Sequence, residues 1–505
     1  MKTPILGASY VAASINAAND RCVNLYPEIV QQGGKEPAFL RRAPGLKPML
    51  QFSGAAIIRG IYTMPAKTGR ALQFAASEGQ DLLLVVTADD TQGTNPRVWW
   101  VRPDYTASAR ATLNAVPNTD PVIFADNGAQ VFFTLGAPQG TSYVWNINTN
   151  AFQQVTDLDF PGASSVGFID GYFVFSEPNS QKLWVTSLLD GTSVDPLDFA
   201  SAEGAPDNIV SVLVSNREIW VFGQTSTEVW YNAGAPDFPL ERIAGAFNEI
   251  GCIAQYSTTK VSNQVFWLGR NREGQGIVYQ SNGYIGQRIS THAIETAVQS
   301  YAVISDAIGM AYQQDGHPFY VLVFPTVGKT WAYDLATGLW HERAGWLDGV
   351  FTRYRANCMA VFNGKIVVGD FENGTLYELD LNTHTDNNQP QRWLRSWRAL
   401  STGENNLNRT AQHALQLDCQ SGVGLTTGQG SDPQVMLRWS DDGGHTWSNE
   451  HWRSMGKIGE TGRRVIWRRL GMTERLRDRV YEISGTDPVK IAIMGAELRA
   501  SGTNA

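Results

Sequence analysis

A chain of 505 residues buries a large core without disulfide or metal staples, and two to three domains is the expectation. Charged residues are only 17% and aromatics 11%, with 16 Trp, 49 Gly and 22 Pro, a profile of short strands and tight turns that speaks against a helical bundle. The net charge of -8 argues against a protein that holds nucleic acid by neutralising phosphates over its whole surface.

The first twenty residues have an Ala-rich run interrupted by Ser, Asn and Tyr, which does not read as a secretory signal, and no stretch has the ~18 apolar residues of a spanning helix. Residues 1–53 carry Pro27, Pro37, Pro44 and Pro48, which rule out a long helix and predict an extended N-terminal arm that wraps a neighbour. Cys22, Cys252, Cys358 and Cys419 lie far apart without a CxxC pair, which predicts buried free thiols rather than a disulfide framework or a zinc site.

Residues 54–400 read as a β-propeller. One run recurs as QVFFT (130–134), YFVFS (172–176), EIWVF (218–222), QVFWL (264–268), FYVLV (319–323) and KIVVG (365–369). Its equivalent positions Val131, Phe173, Ile219, Val265, Tyr320 and Ile366 are spaced 42, 46, 46, 55 and 46 apart. A second anchor, Trp145, Trp184, Trp230, Tyr279, Tyr333 and Tyr377, keeps the same beat. A period in the forties with several strands per unit is the mark of sheets stacked around an axis. The pairs Asn127-Gly128, Asp170-Gly171, Asn363-Gly364 and Asn373-Gly374 supply the hairpin turns. Runs at 72–77, 82–87 and 97–102 add a further unit or a closing strand, so the expectation is six or seven blades.

The polar run STGENNLN (401–408) reads as a linker. Residues 401–505 then return to alternating strands, at least five in about 100 residues, which predicts a C-terminal β-sandwich-like domain. Within it, Ser440, Asp442, Gly444, Thr446 and Trp447 fit the S-x-D-x-G-x-T-W pattern of the Asp-box, a turn in which the carboxylate caps backbone N–H groups. The most uneven charge is Gly456 to Val480, with eight basic residues against three acids, which is +5 locally and leaves -13 elsewhere. Arg463, Arg464, Arg468, Arg469, Arg475, Arg477 and Arg479 form a candidate interface there, with the last three on one face of a strand.

Glu228, Glu241, Asp334 and Asp370 sit in or beside predicted strands as single acids, and no carboxylate pair of a glycosidase can be picked out. The seven histidines make no HxxxH or HxH pair, and no phosphate-binding or nucleophile-elbow motif occurs. No catalytic, metal or cofactor residue is therefore assigned.

In their order and spacing, RCVNLYPEI (21–29), FLRRAPGL (39–46), IRGIY (58–62), TEVWYNAGAPDFPLERIAGAFNEIGCIA (227–254), HAIETAVQSY (292–301) and the closing run from Arg464 to Leu498 resemble the packaged-DNA stabilisation, or tail nozzle, proteins of short-tailed phages. The resemblance implies a non-enzymatic virion protein assembled in the host cytoplasm, in a ring of typically six copies below the portal and its adaptor. Such a ring extends the DNA channel, retains the genome with a needle or plug, lets it out at ejection, and carries tail fibres or tailspikes. The alternative reading is a glycan-binding or sialidase-like propeller, for which the single Asp-box and the many Trp residues speak.

Overall fold

Hairpins with two turn residues organise the propeller. In five successive sheets the strand that carries the aliphatic and aromatic run is entered through a pair at positive φ: Asp170-Gly171, Asn216-Arg217, Ser262-Asn263, Asp315-Gly316 and Asn363-Gly364. Two such residues in a row match the right-handed twist of the strands they join. The architecture is that of a computed structural model that describes residues 1–64, 81–90, 92–114, 117–136, 140–202, 204–235, 238–400, 409–473 and 479–502.

Among the described residues seven sheets of the propeller follow one another. They begin at Ile57–Met64, Ile123–Asp126, Ser165–Ile169, Ile209–Ser215, Gly251–Cys252, Ile308–Gln314 and Ala356–Phe362. The recurrent aliphatic and aromatic runs are the second strands of the second to seventh sheets, and the Trp/Tyr anchors lie in the third strands. The runs at 82–87 and 97–102 are strands of the first sheet, while 72–77 lies outside the described residues.

Aromatic second strands are needed because each packs against the next sheet. Phe132 meets Phe173 at 5.5 Å, Phe222 meets Trp267 at 5.4 Å and Phe266 meets Tyr320 at 5.2 Å between ring centroids, and the third strands add Trp100 against Trp145 at 5.4 Å. The ring closes where Ile58 of the first sheet packs on Gly369 of the seventh, at which a Cβ would come within 2.6 Å of the isoleucine side chain. Ile61, Ile123, Val166, Val212, Thr259, Ile308 and Cys358, one from each sheet, line an axial cavity of about 340 Å³.

The N-terminal arm corrects the sequence expectation. It is folded into its own chain rather than left to wrap a neighbour. Gly45–Gln51 pairs with Thr375–Asp380 as the fourth strand of the seventh sheet, so the two ends of the propeller are sewn together. Leu25–Ile29 and Ala38–Arg42 form a hairpin that extends a sheet of the C-terminal domain. Pro27 and Pro48 are tolerated because neither strand sits in the middle of a fully paired ladder.

The C-terminal domain is a sandwich of two sheets. One runs in the order Val465–Arg468, Thr410–Cys419, Ala492–Gly502, Ala38–Arg42, Leu25–Ile29. The other holds Trp393–Arg398, Val480–Gly485, Gln434–Ser440 and His451–Ser454. Trp393, Trp397, Trp467, Leu415, Leu437, Tyr481 and Ile483 fill the space between them. The domain thus takes its first strand from residues ahead of 401, and the linker 401–408 lies outside the described residues. Cys22–Val23 joins the second sheet on one side and, through Val23 and Glu342, the sixth propeller sheet on the other. The helix His292–Gln299, capped by the Thr291 side chain, buries Ile294 and Val298 in a cluster shared by the fifth and sixth sheets.

Candidate interaction surfaces

The Asp-box turn follows Gln434–Ser440. Asp442 accepts from the Thr446 backbone N–H at 2.9 Å and from the Thr446 hydroxyl at 2.7 Å, while the Ser440 hydroxyl donates to it at 2.6 Å. Gly444 N–H donates to Ser440 Oγ at 2.7 Å, and Trp447 Nε1 donates to the Gly444 carbonyl at 3.0 Å. Desolvation opposes the charge on Asp442, but the bonds from Ser440, Thr446 and Gly444 outweigh it and hold the carboxyl below its usual range. Arg438 stacks over Trp447 at 4.6 Å. Every polar group of the motif is spent on the turn itself.

The arginines divide. Arg463, Arg464, Arg468 and Arg469 are exposed around Val465–Arg468, an edge strand of the sandwich. Val465 and Trp467 point into the core, which turns Arg464, Ile466 and Arg468 outward. Arg479 corrects the expectation of a shared exposed face. It is buried and bonds Asp441 through two nitrogens at 2.6 and 2.7 Å, the Leu470 carbonyl at 2.6 Å, and stacks on Trp439. Desolvation works against its charge, and Asp441 more than restores it. Arg475 and Arg477 lie outside the described residues.

Arg453, which the sequence reading passed over, belongs to the same edge. Its strand His451–Ser454 ends the opposite sheet, and its Nε donates to the Ile466 carbonyl at 3.0 Å, so the two sheet edges meet in one basic surface. A second exposed surface was equally unread. Leu158 is fully exposed between Asp157 and Asp159, and Leu197 is exposed between Asp195 and Asp198. The Val194 N–H donates to Asp157 Oδ2 at 3.2 Å and ties the two loops together on the rim between the second and third sheets. The signal was present as D-L-D and D-P-L-D, in which a leucine stands alone among acids with no strand to bury it.

The acids weighed at strand ends are engaged in the fold. Glu228 accepts from Gly204 N–H, Trp230 Nε1 and Arg242; Asp334 from His317 and Thr337; Asp370 from Tyr377 and Arg355; Glu241 from the Tyr231 hydroxyl. Among the described residues no group of three side chains is placed to hold a metal ion, and no helix is long and apolar enough to cross a membrane. The four cysteines are unpaired, with Cys22 and Cys252 buried and each thiol pushed up to about 11 by desolvation.

Two family profiles match the chain. That of the β-propeller of bacteriophage P22 Gp10 covers residues 101–384, and that of the Gp10 β-sandwich covers residues 392–501. Among solved structures, the WD40 β-propeller domain of Doa1 is 12% identical, over 66% of this chain and 96% of its own, at a TM-score of 0.38. BamB from Moraxella catarrhalis is 12% identical, over 70% of this chain and 95% of its own, at 0.38. The computationally designed protein Ika8 is 16% identical, over 67% and 99%, at 0.37. No curated protein matches the chain.

Proposed function

We propose, on the premise that the chain belongs to the bacteriophage P22 Gp10 family, the packaged-DNA stabilisation or tail nozzle proteins of podoviruses, that it is the subunit of a ring extending the DNA channel below the portal and its adaptor. The chain is a structural protein of a phage tail. The observation that carries the rest is that both parts of the family, propeller and sandwich, match in order along one chain.

In this reading six copies form the ring, a needle or plug closes it, fibres or tailspikes dock outside, and the genome is held after packaging and released at ejection. The chemistry of the surface supports it. A chain with net charge -8 repels phosphate as a whole, which suits a channel in which DNA slides, where basic stripes would hold it back. The exposed Arg463, Arg464, Arg468 and Arg469 then serve contacts with protein rather than with the genome. The glycan-binding alternative loses its main support, because the Asp-box lies in the sandwich and its polar groups are consumed by its own turn.

The test is the mass of the purified chain by light scattering, alone and after mixing with DNA-filled heads of its own phage that lack this protein. Ring formation, or attachment to heads with retention of DNA, is the expected result. A monomer that ignores the heads overturns the proposal.

A further inference from the structure

Two exposed surfaces of opposite charge lie on different domains, one on the sandwich and one on the propeller. The basic one is the sandwich edge, where Arg453, Arg464 and Arg468 surround Ile466. The acidic one is the propeller rim, where Asp159 and Asp195 flank the exposed Leu158 and Leu197. Among the described residues none of these five charged side chains forms an ion pair.

Topology places them on different sheets of the ring. The sandwich is attached to the sixth sheet through Val23 and Glu342 and to the seventh through the arm strand Gly45–Gln51. The acidic rim lies between the second and third sheets, two sheets on from the seventh in one direction and three back from the sixth in the other. One copy therefore cannot close its own basic edge onto its own acidic rim. A surface that pairs with a different surface of an identical neighbour makes a head-to-tail contact, the kind that generates rings.

We propose that the basic sandwich edge of one copy docks on the acidic, leucine-bearing propeller rim of the next. The partner is a second copy of this chain, and the inference rests on the ring reading above. The leucines and Ile466 supply the apolar centre that a stable interface needs, and the charges around them set orientation and exclude like-charged faces. The arms of arginine suit carboxylates because the guanidinium presents paired donors. Chain-wide repulsion from the -13 carried outside Gly456 to Val480 keeps other faces apart, so the basic edge is the natural point of approach.

The experiment is a charge swap. One variant carries Arg464→Glu and Arg468→Glu, the other Asp159→Lys and Asp195→Lys; all four side chains are exposed, and unchanged melting curves verify the fold. Association is followed by light scattering, or by attachment to heads if the wild type associates only there. Each variant alone should associate at least about ten-fold more weakly than wild type, and an equimolar mixture should recover assembly because each reversed face meets its opposite. Wild-type assembly by either variant alone, or a mixture that fails to recover, overturns this contact and leaves the ring reading standing. A wild-type chain that neither associates nor attaches overturns both.

Discussion

The second to fifth propeller sheets and the junction around the sixth and seventh are built by different rules. From Ile123 to Arg288 each sheet is made of consecutive strands, so pairing partners are close in sequence. At the junction the seventh sheet borrows Gly45–Gln51, the sandwich borrows Leu25–Ile29 and Ala38–Arg42, and Cys22–Val23 bridges both domains. The buried groups differ too. Phe132 sits among the rings of Phe160, Phe173 and Phe175, whereas the junction buries Arg42, Arg343 and Arg395 against carbonyls and side chains. The repeat makes sheets, and the arm makes them one body. Loop closure over more than 300 residues is the cost of that design.

Removing the arm should have the largest effect on the junction. Deleting residues 1–51 takes the fourth strand from the seventh sheet and the Leu25–Ile29/Ala38–Arg42 hairpin from the sandwich, leaving two new unpaired edges. Calorimetry should show loss of the joint transition, with the sandwich melting first or the chain aggregating. An unchanged single transition would mean that the arm does not hold the two domains together.

Point substitutions separate the repeat from the junction. Phe132→Ala should cost about 3–5 kcal/mol in urea unfolding, as a cavity in a packed aromatic cluster. Arg395 donates to the carbonyls of Ile5, Ala8 and Arg21 at 2.6, 2.9 and 3.4 Å, so Arg395→Met should cost about 2–4 kcal/mol by leaving them without a donor. The distinguishing readout is hydrogen exchange. Arg395→Met should speed exchange across the first twenty residues, and Phe132→Ala should leave that segment protected. Equal exchange profiles would mean that the arm is held by strand pairing alone.

The same contrast decides what the sequence could tell. The local half was legible because hydrophobic runs and Asn-Gly or Asp-Gly turns recur at a fixed period, and both aromatic anchors mark interior strands. Asn216-Arg217 and Ser262-Asn263 escaped notice because they lack glycine, yet both residues of each pair take positive φ. The short outer strands Phe199–Ser201 and Ile285–Arg288 carry too little apolar signal to stand out. Nothing local says that residues 20–46 pair with strands more than 300 positions away. Arg479 was misread for the same reason: alternation gives a face, but its partner Asp441 lies 38 residues back across a strand pair.

The smallest effect tests the junction through its charge. His317 Nδ1 lies 2.9 Å from Asp334 Oδ2, nearly buried, and the arm residue Tyr26 packs edge-on at 5.4 Å. The bond to Asp334 raises the imidazole above its ordinary value against the opposing pull of burial. A folded pKa raised above the unfolded one means stability that is full below about pH 6 and lost as pH rises through the folded value. His341, held neutral by burial, by Arg343 and least by His317, works the other way; the first two causes are common to both proteins, and easing the third in the variant trims the gap. Wild type should therefore exceed His317→Gln in urea midpoint most at about pH 5.5, and the gap should narrow towards about pH 8.5. A gap independent of pH would mean that a neutral hydrogen bond holds Tyr26 and the arm in place. The junction would then differ from the repeat only in where its strands come from.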